Sequence, residues 1–378
     1  MKARRRILHI VDSLERGGLE RVVTDLAIAQ REAGDDVGVF CLYREGALAA
    51  ELRSAGIEVA CANKSDGIDP RPLWRLRRAA MQGGWNVLHS HNLVPNYYTA
   101  LATLAGRSRA VLINSCHDMG TRLGNNRLRR LYLWSLSRTA RVAMVADQVM
   151  ERYVSSGYIP ASRASVVYNG IQVARFAPTL ARSKAARMTL NIPADALVIG
   201  CVGRLVPVKN HALVIAALPD LLRTYPGLQL VLLGGGELKS QLQKQAEALG
   251  VSAQILFAGE RADVVDLLPA LDVFILPSLS EGLSIALLEA ACSALAIVAT
   301  NVGGNPHAIA HERNGLLIPS QDGAALTTAI RRLLGDAGLR ASLGIAARDW
   351  VQQHASIEAQ RQAFDKLYGA ALSEAKLL

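Results

Sequence analysis

Short apolar, β-rich runs alternate with segments of helical periodicity along almost the whole chain, and nothing else restricts its fold so strongly. Residues 6–12 read as a strand, and residues 13–19 carry the turn Gly17-Gly18. Val22, Val23, Leu26, Ala27, Ala29 and Ala33 then recur at helical spacing up to Gly34. Strands are predicted over 36–42, 57–61, 87–90 and 110–114, with helices over 47–55, 72–81 and 96–105 between them. The rhythm restarts after Asn169-Gly170, with strands over 197–202, 228–233, 253–257, 273–276 and 296–300. Such alternation predicts an α/β chain whose parallel sheets are wound on both faces by helices. Two Rossmann-like, doubly wound domains follow, 1–170 and 171–355, joined near 168–178, with 356–378 as a last helix. Ligands of such sheets bind outside the carboxyl ends of strands, so the loops there are searched for function.

The most informative loop lies in residues 276–291, where the run Val273-Phe274-Ile275-Leu276 stops at Pro277 and a polar turn follows. Ser284 is placed to cap a helix starting at Ile285, its hydroxyl accepting from a backbone N–H. The start of that helix presents free N–H groups and the positive end of a dipole, a setting that favours phosphate. Glu281 lies in the turn. Glu289 lies five residues past Ser284, roughly 7–8 Å along a helix rising 1.5 Å per residue. That is about the span from a nucleotide's phosphates to its ribose, and a carboxylate accepts from two ribose hydroxyls. The plainer alternative is a solvated turn residue and a surface helix charge. The apolar neighbours Ile285, Ala286, Leu287 and Leu288 weigh against it, since a Glu among them needs a partner.

Other strand-end loops supply complementary groups. Residues 203–210, Gly203-Arg204-Leu205-Val206-Pro207-Val208-Lys209-Asn210, place two cations five residues apart, suited to neutralising a diphosphate leaving group. Gly234-Gly235-Gly236-Glu237 lets backbone approach a ligand, but Lys239 stands where G-x-G-x-x-G needs its third glycine. Gly17-Gly18 is either an anion nest or a plain tight turn. His117-Asp118, and His89 and His91, sit at strand ends where an imidazole can meet a sugar hydroxyl or serve structure alone. No Asp-x-Asp is present and no H-x-x-x-H or other metal spacing is recognised, so no bound metal is expected.

With 378 residues, 51% of them hydrophobic and 20% charged, the chain has material for two ordinary cores. Its five cysteines, Cys41, Cys61, Cys116, Cys201 and Cys292, include no C-x-x-C pair and imply neither a disulfide framework nor a zinc site. The apolar run after the basic start Met1-Lys2-Ala3-Arg4-Arg5-Arg6 covers only residues 7–11, is interrupted by His9, and is too short for a signal peptide. The longest apolar helix candidate, 285–299, falls short of a bilayer span. A cytoplasmic protein is expected. Charge is uneven: residues 1–190 hold 28 Lys+Arg against 15 Asp+Glu, and residues 191–378 hold 14 against 17. Arg75, Arg77, Arg78, Arg127, Arg129, Arg130, Arg138 and Arg141 interleave with Trp74, Tyr132 and Trp134. Such a surface suits peripheral contact with the inner face of an anionic membrane, or is an ordinary solvated face. Nucleic acid is not expected.

Taken in order, Gly17-Gly18-Leu19-Glu20-Arg21-Val22-Val23, His117, Val167-Tyr168-Asn169-Gly170-Ile171, Gly203-Arg204…Lys209, Gly234-Gly235-Gly236, residues 272–278, Glu281-x7-Glu289 and Val302-Gly303-Gly304-Asn305-Pro306 form a specific series. The series resembles the family 4 retaining glycosyltransferases of the GT-B fold, over nearly the whole chain. The resemblance implies a nucleotide-diphosphate-sugar donor bound mainly by the second domain, an acceptor glycan or lipid-linked acceptor bound mainly by the first, and an interdomain cleft. It also implies that the last helix, near 357–372, crosses back onto the first domain, and that no cofactor or metal is needed. Arg204 and Lys209 would then hold the diphosphate, Glu289 the ribose, and Glu281 the transferred sugar. Leu283 and Ser284 would offer backbone N–H groups, and Gly18 close approach. His117 would touch the sugar, and Gly203, Gly235 and Gly282 complete the donor-binding set. Glu281, His117, Arg204 and Lys209 are the implied catalytic residues, working by front-face attack with the leaving phosphate as base. Leu283 stands where an aromatic residue is common, and His307 where an acid is common. The implied setting is bacterial cell-surface polysaccharide synthesis. A non-catalytic sugar-nucleotide-binding protein is the first alternative. A nucleotide-dependent oxidoreductase is the second, disfavoured by the incomplete glycine fingerprint.

Overall fold

The computed structural model describes residues 4–15, 17–65, 70–104, 109–117 and 126–375, and the chain divides into two compact units. Asp118, Ala105 and the first three residues named above lie outside the described residues. The first unit comprises residues 1–171 with 356–378, and the second comprises 172–355.

The first unit runs β1 (Arg6–Ser13), α1 (Gly18–Glu32), β2 (Asp36–Arg44), α2 (Ala49–Ser54), β3 (Glu58–Cys61), α3 (Arg71–Gln82), β4 (Val87–His91), α4 (Leu93–Thr103), β5 (Val111–Cys116), α5 (Asn126–Ser137), β6 (Arg141–Met144), α6 (Asp147–Ser155) and β7 (Ala164–Val166). Its sheet has the order β3-β2-β1-β4-β5-β6-β7, every pair parallel, so the winding direction reverses between β1 and β4. Side chains alternate across the pleat. Leu8, Ile10, Leu88 and Leu112 pack with Leu76, Ala100, Tyr132 and Tyr153 of α3, α4, α5 and α6. Ile7, Val87, Val111 and Ile113 face the other way, under Leu26 of α1 and Phe364 and Tyr368 of the last helix, α15 (Ile357–Glu374). The chain leaves and re-enters this unit side by side, where Ile357 N donates to the Ile171 carbonyl at 2.9 Å. Ser356 caps α15 by accepting from Ala359 N. Arg5, almost wholly buried, bonds Asp35 through two nitrogens and pairs with Asp365 of α15.

The second unit runs α7 (Leu180–Thr189), β8 (Val198–Val202), α8 (His211–Thr224), β9 (Gln229–Leu233), α9 (Lys239–Ala248), β10 (Ile255–Gly259), α10 (Val264–Leu267), β11 (Val273–Leu276), α11 (Ile285–Cys292), β12 (Ala296–Thr300), α12 (Asn305–Ala308), β13 (Leu316–Ile318), α13 (Gly323–Gly335) and α14 (Ala337–His354). Its parallel sheet has the order β10-β9-β8-β11-β12-β13, with the reversal between β8 and β11. One expectation is corrected. Residues 285–299 are not one helix: Ala294 adopts φ +55° and the chain turns into β12, so the apolar run is a short helix followed by a buried strand. Arg141, one of the basic run named above, opens β6 and pairs with Glu374. Strands β6, β7 and β13 escape the sequence reading: β7 and β13 have three residues each, too few for a period to register, and β6 begins at Arg141 inside a basic run. Among the described residues no helix is long and apolar enough to cross a membrane.

Candidate active site

In the second unit the loops after β8 and β11 are neighbours because their strands are, at the reversal of strand order. Leu279 N donates to the Val208 carbonyl at 2.8 Å, tying the two loops together. This tie brings Lys209 Nζ to 2.5 Å from Glu281 Oε1, which also accepts from Ser278 Oγ at 2.6 Å. Both charged side chains are largely buried, at 19% and 10% exposure, and Ser278 is fully buried. Sequence reasoning found Lys209 and Glu281 but gave no role to Ser278, which lies two residues past the end of β11 and looks like packing. Asn210 turns left-handed (φ +53°) directly after Lys209 and starts α8.

The turn holding Glu281 is itself clamped. Gly304 N donates to the Gly282 carbonyl at 2.7 Å, and Gly303 adopts φ +54°. A Cβ on Gly303 would lie 1.7 Å from the Glu281 carbonyl oxygen, so backbone packs on backbone there. The glycines after β9 serve the same end: a Cβ on Gly234 would lie 2.0 Å from the Gly203 carbonyl oxygen. Gly235 accepts from Leu205 N at 2.8 Å, and Gly203 N donates to Leu233. These residues fix the shape of the β8 loop.

Helix α11 starts at Ile285, as the sequence predicts, but the Ser284 hydroxyl does not cap it. Ser284 is buried with extended backbone, and Leu283 beside it is buried too. The first N–H groups of an α-helix have no intrahelical acceptor, so this end is open to an anion without competition from the Ser284 side chain. Glu289 lies one turn on, with Ile285 and Ala286, on the half-exposed side of α11, while Leu287 and Leu288 are buried. The picture of a Glu surrounded by apolar side chains is therefore replaced by one on the helix's accessible stripe. Arg204 is exposed on the β8 loop, and the structure joins it to neither Lys209 nor Glu281.

Gly18 and His117 belong to the first unit. Gly17 is extended (φ −159°) and Gly18 opens α1, so the pair forms a helix start rather than a left-handed nest. His117 follows β5, its backbone N donating to Asn92 Oδ1 at 2.9 Å, and its ring joins a cluster the sequence does not reveal. His9 and His89 are paired in register on β1 and β4, and His91 lies two residues on, so all three face α1 and α15. His9 Nε2 meets Gln30 Oε1 at 2.7 Å and His9 Nδ1 meets His91 Nε2 at 3.0 Å. His91 Nδ1 lies 3.4 Å from His117 Nε2. His89 bonds Tyr368 through Nδ1 and Ser115 through Nε2, both at 2.7 Å. Burial disfavours the imidazolium and lowers all four pKa values, those of His9 and His117 to about 4. The signal was available only as two polar residues interrupting strands; their 82-residue separation hid the contact.

Ligand atoms of His9, His89 and His91 lie within 4.8 Å of one another, a grouping that sequence spacing did not disclose. Both nitrogens of His9 and of His89 are already in hydrogen bonds, and the group contains no carboxylate to offset a dication. His9 and His91 are bonded to one another, and His89 is bonded to Tyr368 and Ser115. The expectation of no H-x-x-x-H spacing is corrected in the second unit, where His307 and His311 stand four residues apart. There α12 ends at Ala308, and His311 Nδ1 instead accepts from Leu317 N at 3.0 Å.

Residues 183–350 match the profile described as Glycosyl transferases group 1, and residues 16–175 that of Glycosyltransferase Family 4. The chain is 32% identical over 272 residues to a GDP-mannose-dependent alpha-(1-6)-phosphatidylinositol monomannoside mannosyltransferase of Mycolicibacterium smegmatis, covering 66% of this chain and 67% of that protein. The chain belongs to the family 4 glycosyltransferases. This glycosyltransferase is also 25% identical over 295 residues to UDP-Gal:alpha-D-GlcNAc-diphosphoundecaprenol alpha-1,3-galactosyltransferase of Escherichia coli, covering 75% of this chain and 76% of that one. Its fold matches the crystal structure of Anabaena Alr3699/HepE in complex with UDP-glucose, with TM-score 0.86 and 20% identity over 97% of this chain and 99% of that one. The expected GT-B architecture of two Rossmann-like parallel-sheet domains is met, and the enzyme is a glycosyltransferase.

Proposed function

We propose that this glycosyltransferase moves a hexose from a nucleoside-diphosphate-sugar to a lipid-linked or glycan acceptor in building a cell-surface glycan, with retention at the anomeric carbon. The second unit binds the donor and the first the acceptor. The observation that carries the reading is the buried Lys209–Glu281–Ser278 knot beside the uncapped start of α11. Lys209 and Arg204 neutralise the diphosphate, with the α11 N–H groups and those of Leu283 and Ser284 on its oxygens. Glu281 is held ready to accept from sugar hydroxyls, Glu289 from the ribose, and His117 meets the transferred sugar. Gly18, Gly203, Gly235 and Gly282, having no side chain, allow the donor close approach to backbone. The acceptor hydroxyl attacks on the face the diphosphate leaves. Its proton passes to a departing phosphate oxygen as the old C–O bond breaks and the new one forms. The cations and helix end supply the positive charge, so no metal is assigned a role.

The relatives' names support the setting: one acts on a phosphatidylinositol mannoside and another on a diphosphoundecaprenol-linked sugar. Their donors differ in base, GDP-mannose in one and UDP-galactose in the other, so the base is the quantity to measure. A thermal-shift panel of UDP, GDP and ADP with their sugars tests the donor site, because a ligand at 100 times its Kd stabilises by about 2.7 kcal/mol. One base is expected to raise Tm strongly. Lys209→Ala and Arg204→Ala are expected to abolish that rise and to lower donor turnover by about 10²-fold. Full turnover in both variants overturns the diphosphate assignment.

A further inference from the structure

The buried histidines of the first unit form a chain with a direction. Gln30 Oε1 accepts from His9, so the proton of His9 is on Nε2 and its Nδ1 carries a lone pair. That lone pair faces His91 Nε2 at 3.0 Å, which must then be the N–H, leaving His91 Nδ1 as an acceptor. The next atom, at 3.4 Å, is His117 Nε2, which donates, and the lone pair of His117 is left on Nδ1. On the other side Gln30 Nε2 donates to the Tyr368 hydroxyl at 3.3 Å, and Tyr368 donates to His89 Nδ1. His89 Nε2–H ends on Ser115 Oγ. Every ring is neutral: burial disfavours the imidazolium, and no carboxylate is among these hydrogen-bond partners to offset one. Turning the Gln30 amide by 180° would reverse each proton in both branches, so one side chain sets them all.

We propose that Gln30, His9 and His91 are positioning residues that fix His117 as its Nε2–H tautomer, presenting Nδ1 as a hydrogen-bond acceptor. His117 then accepts from a sugar hydroxyl and does not donate to one. Asn169 also accepts a hydrogen bond from the His117 ring, so in this tautomer it shares the Nε2 proton with His91. Through Tyr368 the same chain ties α15, the last helix, to the state of His117. The proposal rests on the reading that His117 meets the sugar, but its tautomer is measurable without turnover.

The experiment is long-range ¹H–¹⁵N correlation on the full-length protein labelled with ¹⁵N-histidine, which reports which ring nitrogen carries the proton. His9, His91, His89 and His117 are expected as neutral Nε2–H tautomers at pH 7. Gln30→Leu is expected to leave His117 a mixture of tautomers and to lower kcat about tenfold with donor KM unchanged. Gln30→Glu, whose carboxylate only accepts, is expected to keep His117 in the Nε2–H form while His89 turns to Nδ1–H, and it serves if Gln30→Leu fails to fold. A wild-type His117 protonated on Nδ1, or one whose tautomer ignores both substitutions, overturns the proposal. Unaltered activity in His117→Ala with the expected spectra would instead remove the sugar contact and leave the tautomer chain standing.

Discussion

Glu281 carries two loads at once, one on its side chain and one on its backbone. Its carboxylate balances Lys209 and takes the Ser278 hydroxyl, while its carbonyl lies directly under Gly303. Gly303 holds φ +54°, where a side chain is strained whatever the space, and a Cβ there would meet the Glu281 carbonyl oxygen at 1.7 Å. Gly303→Ala therefore forces the backbone of the turn apart, and we expect a loss of about 2 kcal/mol or more in urea unfolding. Nucleotide affinity is expected to fall with it, because the displaced turn carries Glu281 and leads into α11. An unchanged urea midpoint with unchanged nucleotide affinity by calorimetry would show that the clamp has no such role. The charged residues of this turn were legible in the sequence because each follows a predicted strand. Ser278 was not, since nothing in its immediate neighbours separates a buried hydroxyl that bonds a carboxylate from one that merely follows a strand.

At the scale of elements, α3 and α5 flank α4 on one face of the first sheet, their apolar sides packed into the same core. Their outer sides combine arginine with tryptophan: Trp74 is 61% exposed with the Arg78 guanidinium over its ring, and Arg138 stacks on Trp134. Arg75, Arg127 and Arg130 are exposed beside them. An indole with cations around it sits well at a headgroup layer, each basic residue contributing about 1 kcal/mol near an anionic surface. Flotation with vesicles rich in anionic lipid is expected to carry the protein at low salt and to release it as salt screens the charges. Trp74→Ser combined with Arg78→Ser should weaken flotation about tenfold while leaving donor binding alone. Equal flotation of the double variant, or of wild type with neutral vesicles, would refute a membrane role for this face. Most elements here were readable from periodicity. The exceptions teach where that reading ends: β6 begins inside a basic run, and 285–299 reads as one apolar helix as readily as a helix from Ile285 followed by the strand 296–300, because the break between them is a single left-handed residue, Ala294.

Across the whole molecule the two units differ in what acid does to them. The first buries His9, His89 and His91 and half-buries His117, all with pKa values lowered chiefly by desolvation, and the second buries His211, lowered to about 4 by desolvation and by Lys209. A histidine whose folded pKa lies below its unfolded value of about 6.5 binds more protons when unfolded. Stability from keeping it neutral is then complete above pH 6.5 and is lost as pH falls toward the folded value. For His9, moved from 6.5 to about 4, the loss over that window is at most about 3 kcal/mol. Four such groups share one hydrogen-bonded cluster in the first unit, against one in the second, so the first is the acid-labile half. Hydrogen exchange followed at pH 7 and pH 5, corrected for intrinsic rates, is expected to show β1, β4 and α15 losing protection well before β8, β9 and β11. Equal loss in the two sheets would mean that the imidazole cluster takes up its protons without opening the fold, and that the hydrogen-bond chain tolerates charge that its burial argues against.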